Sequence, residues 1–156
     1  MELKILAAVD DSENAMRAVD HVAKFFNSDC KVTLFSVFHD TATLCDLQSP
    51  ELSSYFLSQQ SSFCTLEEKR RSLIKDALEK AKASLVEAGF DNANIVIKTQ
   101  IQKRGIARDI VDEAGTGYDI IVMGRRGLSG LKEFFVGSVS QKVLSLAKDM
   151  SILMVN

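Results

Sequence analysis

Five short apolar runs, each of strand length and each followed or preceded by a stretch with helical spacing, leave this 156-residue chain few ways to fold. The runs are Leu3–Val9, Lys31–Phe38, Ile95–Ile101, Tyr118–Met123 and Ser151–Val155. A strand buried on both faces reads as a nearly continuous apolar run, which is the signature of a parallel sheet. Between the runs, apolar residues recur at helical intervals: Ala15, Ala18, Val19, Val22, Ala23 and Phe26; Leu66, Leu73, Ala77, Leu78, Ala81, Leu85 and Ala88; Ile106, Ile110, Val111 and Ala114; Val139, Val143, Leu144 and Ala147. Strands alternating with helices imply right-handed crossovers and a parallel sheet covered on both faces, as one α/β domain over residues 1–156.

Boundary signals sharpen the elements. Asp11 or Ser12 caps the first helix, Glu13 suits its first turn, and Asn27-Ser28-Asp29 breaks it. Thr65-Leu-Glu-Glu68 is a capping-box pattern that predicts a helix from there to Gly89, whose charged outer face reads as solvated. Residues 40–64 hold the only proline, Pro50, and read as a long connection with a short helix around Leu52 to Gln59. Tyr55, Phe56 and Phe63 are expected to pack back on the body. The last helix is expected from Gly137 to about Lys148.

The net charge of -2 gives no footprint for nucleic acid or an anionic membrane. Met1-Glu-Leu-Lys-Ile-Leu runs directly into a strand without a basic and then apolar leader, and no apolar run reaches bilayer length. Cys30, Cys45 and Cys64 are odd in number and lack CxxC spacing, so reduced thiols in a cytoplasmic protein are the expectation. His21 and His39 are too scattered for a metal site.

The chemistry concentrates near the end of the chain. The run Tyr118-Asp-Ile-Ile-Val-Met stops at Gly124; Gly127 follows, and nine residues later Gly137-Ser138-Val139-Ser140 opens a helix. Glycine permits close backbone approach, and a helix start offers unpaired N–H groups and a partial positive charge, which together suit a phosphate. Ligands of doubly wound sheets bind beyond the carboxyl ends of the strands where the winding reverses, so Asp10 and Gly124 are expected at one crevice. Backbone N–H groups and the Ser138 and Ser140 hydroxyls would surround the phosphates, with Arg125, Arg126 and Lys132 as lesser contributors of charge. The pattern lacks GxxxxGK[ST] and lacks GxGxxG after the first strand, which excludes a P-loop and argues against a dinucleotide fold. Asp10-Asp11 after the first strand suits a receiver domain, but Gly124 stands where a phosphoacceptor Asp would be needed. Leu128, Leu131, Phe134, Phe135 and Val136 make the intervening loop apolar enough to expect packing beneath it or against a partner subunit.

The segment Gly124-Arg-Arg-Gly127 through Gly137-Ser138-Val139-Ser140 resembles the nucleotide-binding motif of the universal stress protein family, in its ATP-binding branch. The likeness extends over essentially the whole chain, from Ile5-Leu-Ala-Ala-Val-Asp10-Asp-Ser onward. It implies an open five-stranded parallel sheet of order 3-2-1-4-5, of the adenine nucleotide alpha hydrolase-like kind. It implies ATP, or AMP or ADP, with adenine near Ala8, Val9, Asp10 and Val37 and with Met123 near the base or ribose. Gly124, Gly127, Gly137, Ser138, Val139 and Ser140 would hold ribose and phosphates, with Mg²⁺ or Mn²⁺ bridging phosphates. It further implies a homodimer paired through Ser151–Val155 and a nucleotide-responsive role in the stress response. Slow ATP hydrolysis or self-phosphorylation at Ser138 or Ser140, and a dimeric module without nucleotide, are the alternatives. No nucleophile stands beside a base, so no catalytic residue is assigned. Met150-Ser151-Ile152 replaces the family's usual Pro-Val before the last strand, and residues 40–64 depart from its pattern.

Overall fold

The computed structural model describes residues 2–47, 53–126 and 136–156. Its strands are β1 (Lys4–Ala8), β2 (Lys31–Phe38), β3 (Ile95–Ile101), β4 (Ile120–Gly124) and β5 (Ser151–Val155). They form one parallel sheet in the order β3-β2-β1-β4-β5, the order implied by the family resemblance. The helices are α1 (Glu13–Phe25), a four-residue α2 (Ala42–Cys45), α3 (Ser54–Glu87), α4 (Ile106–Ala114) and α5 (Ser138–Leu146).

Alternation along the strands sends successive side chains to opposite faces. Ile5 and Ala7 of β1 and Val32 and Leu34 of β2 pack with Val19 and Val22 of α1 and Leu78 and Leu85 of α3. Leu6 of β1, Phe35 of β2 and Ile121 of β4 pack on the other face with Ile110 of α4 and Val143 of α5. Both faces of the central strands are therefore covered, which is why their sequences are mostly apolar, with Thr33 and Ser36 of β2 as buried polar exceptions. The chain winds outward from β1 through β2 to β3, then crosses back to β4, so the ends of β1 and β4 diverge into different connections.

The long helix departs from its expected form. It is continuous over 34 residues and is capped by Ser53, whose hydroxyl accepts from the Phe56 N–H at 3.2 Å. Thr65, expected as a cap, lies inside the helix, and its hydroxyl donates to the Ser61 carbonyl at 2.8 Å. A capping box is only a local pattern, and helix continues wherever the preceding residues also tolerate it. Buried positions begin at Ile74 and continue through Ala77, Leu78, Ala81 and Leu85. Leu66 and Leu73, expected on the inward face, are 66% and 46% exposed. Tyr55 and Phe63 are exposed as well and do not pack back on the body. At the other end the Phe90 N–H reaches the Leu85 carbonyl and the Gly89 N–H the Val86 carbonyl. With Gly89 at φ 99°, this is the expected glycine termination.

The cysteine expectation is overturned. Cys45 and Cys64 form a disulfide, with Cα atoms 5.9 Å apart, and only Cys30 is a free, buried thiol. The pairing escaped the spacing argument because a tertiary fold-back creates it: α2 returns against α3, where Gln60 Nε2 donates to the carbonyls of Leu44 and Leu47. No helix among the described residues is long and apolar enough to cross a membrane.

Candidate functional site

The carboxyl ends of β1, β2 and β4 and the first turn of α5 surround a cavity of about 590 Å³. Ala8, Val9, Asp10, Val37, Met123, Gly124, Gly137, Ser138, Val139 and Ser140 all line it, which is ten of the eleven residues expected from the sequence. Gly127, the eleventh, and the apolar stretch 128–135 lie outside the described residues.

Local chemistry fixes the first edge. One oxygen of Asp10 accepts the Ser12 N–H at 2.8 Å, an Asx-type turn that redirects the chain from β1 into α1. The Ser12 hydroxyl then accepts the Ala15 N–H at 3.1 Å, so Ser12 is the cap. Asp10 Oδ2 makes no hydrogen bond among the described residues, which leaves an acceptor at the cavity wall.

The glycine edge is built more tightly. A Cβ on Gly124 would come within 2.8 Å of the Asn14 backbone carbon, so only glycine lets β4 end against the start of α1. The Ser140 hydroxyl donates to the Gly124 carbonyl at 2.9 Å, and the Gly137 N–H donates to the Arg125 carbonyl at 2.8 Å. These two bonds pin the first turn of α5 to the end of β4. The first backbone bond of α5 is Gln141 N–H to the Gly137 carbonyl, at 2.8 Å. The N–H groups of Ser138, Val139 and Ser140 precede it and have no acceptor within the helix. They stand where the helix carries its partial positive charge, beside the cavity. Ser138 is exposed and its hydroxyl is available; the Ser140 hydroxyl has its proton committed to Gly124.

The cavity is amphipathic. Val9, Phe35, Val37, Met123, Ile106 and Ile110 give an apolar slot, and the α5 end and Asp10 give polar edges. This is the usual composition of a small-molecule site. A further wall comes from α3, through Glu67, Arg70, Arg71 and Ile74. Glu67, Arg70 and Arg71 belong to the charged face expected to be solvated. With Ile74, their i, i+3, i+4, i+7 spacing marks one side of a helix, but nothing in the sequence says that the side overlooks a cavity.

The universal stress protein family model matches residues 1–155. The chain is 30% identical over 152 residues to universal stress protein MJ0577 of Methanocaldococcus jannaschii, covering 92% of this chain and 89% of that protein. The solved structure of MJ0577 superposes with a TM-score of 0.68 at 28% identity, over 99% of this chain and 96% of that one. A universal stress protein solved in complex with cAMP shares the fold, with a TM-score of 0.62 at 20% identity over 99% and 97% of the two chains. Sheet order, the glycine-edged cavity and full-length similarity converge on one conclusion: the chain belongs to the universal stress protein family.

Proposed function

We propose that this protein binds an adenine nucleotide, foremost ATP, in the cavity at the ends of β1, β2 and β4, and acts as a nucleotide-responsive regulator in the stress response. The observation that carries the reading is the convergence of Asp10, Val37, Met123, Gly124 and the Gly137–Ser140 turn on one amphipathic cavity. The base would lie in the slot of Val9, Val37 and Met123, and the Asp10 carboxylate would accept from ribose hydroxyls. Phosphates would meet the N–H groups of Ser138, Val139 and Ser140 and the Ser138 hydroxyl. A related protein solved with cAMP is consistent with a family site that accepts adenine nucleotides.

Mg²⁺ or Mn²⁺ enters this reading as the nucleotide's counter-ion. Among the described residues no three His, Cys, Asp or Glu side chains are grouped to hold a metal, and Asp10 and Glu67 are the carboxylates lining the cavity. A second copy would pair along β5. That strand is hydrogen-bonded to β4 at the sheet edge, and Ile152, Leu153, Met154 and Val155 are all half-buried. An apolar open edge is a ready template for a further strand.

The test is direct. Denaturing the purified protein and chromatographing the supernatant should release ATP, ADP or AMP, and added ATP should raise the melting temperature of the emptied protein. Absence of both would refute nucleotide binding. Sedimentation at micromolar concentration should give twice the chain mass, and a monomer there would refute the β5 pairing.

A further inference from the structure

The α3 wall of the cavity contains two adjacent arginines with different commitments. Arg71 is occupied: its Nη2 donates to the His39 carbonyl at 2.6 Å and to the Thr41 hydroxyl at 3.3 Å, and its guanidinium lies over the Phe38 ring at 5.5 Å. It braces the chain leaving β2 against α3. Arg70 makes no hydrogen bond or ion pair among the described residues, although its Nε is buried. Glu67, one turn earlier on the same wall, does not pair with it.

The terminal nitrogens of Arg70 are uncommitted among the described residues, and a bound oxyanion in the cavity would accept charge-assisted hydrogen bonds from them. Arg70 lies on the α1–α3 face of the sheet, whereas α5 lies on the other face, and the cavity reaches both. A ligand held by the α5 end would therefore be flanked by a cation on its far side. We infer that Arg70 is a specificity-determining residue that grips the phosphate chain from the α3 side and sets the preference for nucleoside triphosphate over monophosphate. The inference rests on the nucleotide-binding reading above and adds to it a recognition element outside the glycine motif. The ligand class follows from the chemistry, because the phosphate chain is the anionic part of a nucleotide and a planar guanidinium suits its oxygens. Glu67 works in the opposite sense, by placing a negative charge on the same wall.

Calorimetric titration of the full chain with adenosine, AMP and ATP tests this. Arg70→Gln should weaken ATP by about tenfold or more while changing AMP and adenosine by less than about twofold, as expected for loss of a charge-assisted hydrogen bond. Arg70→Lys, which keeps the charge and the aliphatic stem, should retain part of the ATP preference. Glu67→Gln should tighten ATP relative to adenosine. Unchanged ATP affinity in folded Arg70→Gln would overturn the inference and leave nucleotide binding standing. Equal losses for AMP and ATP, or for adenosine and ATP, would also overturn it, since Arg70 would then not distinguish triphosphate from monophosphate. A wild-type protein that binds none of the three ligands would overturn both readings.

Discussion

The hydroxyl of Ser140 donates to the carbonyl oxygen of Gly124 at 2.9 Å, joining the first turn of α5 to the end of β4. The two residues lie 16 positions apart in the chain, so this bond ties two elements together across the intervening sequence. Ser140 is only 4% exposed. Its role is therefore different from that of exposed Ser138, although the two look alike in the sequence. The Ser140 side chain shapes the site, and Ser138 can meet a ligand.

Ser140→Ala should destabilise the protein by about 1–3 kcal/mol, because it removes a buried donor from the Gly124 carbonyl. Ser138→Ala should change stability by less than about 0.5 kcal/mol, as for other exposed positions. Urea unfolding of both variants separates the two serines; equal losses would mean that the Gly124 bond contributes nothing distinctive.

Gly124→Ala should cost about 1–3 kcal/mol, because the added methyl meets the Asn14 backbone at 2.8 Å and one of two packed elements must shift. That shift opens the junction of β4 and α1 at the cavity edge, so ATP affinity should fall with stability. Thermal melts with and without ATP provide the measurement. A variant as stable as wild type would show that β4 can end further from α1.

Reduction of Cys45–Cys64 should loosen α2 and the amino-terminal half of α3 while sparing the sheet. The bridge spans 19 residues, and closing a loop of that size is worth roughly 3 kcal/mol. Before Ile74, α3 has no buried residue to hold it in place. Hydrogen exchange in dithiothreitol should accelerate over 42–64 and remain slow in β1 and β4. Uniform acceleration would instead make the bridge a global support.

Stability should fall as pH rises above about 10, the ordinary titration range of tyrosine and lysine side chains. Hydrogen bonding to the Glu113 carboxylate raises the Lys98 pKa, and burial raises that of Tyr118. Both groups hold their protons more tightly when folded, so their contribution is complete below the unfolded pKa and is lost as pH passes through the folded one. Lys98 Nζ lies 2.8 Å from Glu113 Oε1, and the Tyr118 hydroxyl lies 3.1 Å from both Thr33 Oγ1 and Glu113 Oε1. Urea midpoints at pH 8 and pH 11 should differ more in wild type than in Glu113→Gln. The same difference in both would place the alkaline loss elsewhere.

Much of this protein was legible from residue order alone. Apolar runs interrupted by helical spacing specify a doubly covered parallel sheet, because two-sided burial makes a strand nearly continuously apolar. The glycines and hydroxyls after β4 and Asp10 after β1 marked the cavity edges locally, because turns and helix starts depend on near neighbours, and the winding of the sheet brought the two edges together. What tertiary structure alone decided were the contacts that neither periodicity nor strand alternation specifies. The Cys45–Cys64 bridge, the burial of Ile74 instead of Leu73, and the α3 wall of Glu67, Arg70 and Arg71 depend on how a 34-residue helix lies over the sheet. A charged helix face reads the same in sequence whether it looks onto solvent or a cavity, because periodicity fixes which residues share a side and not what that side meets.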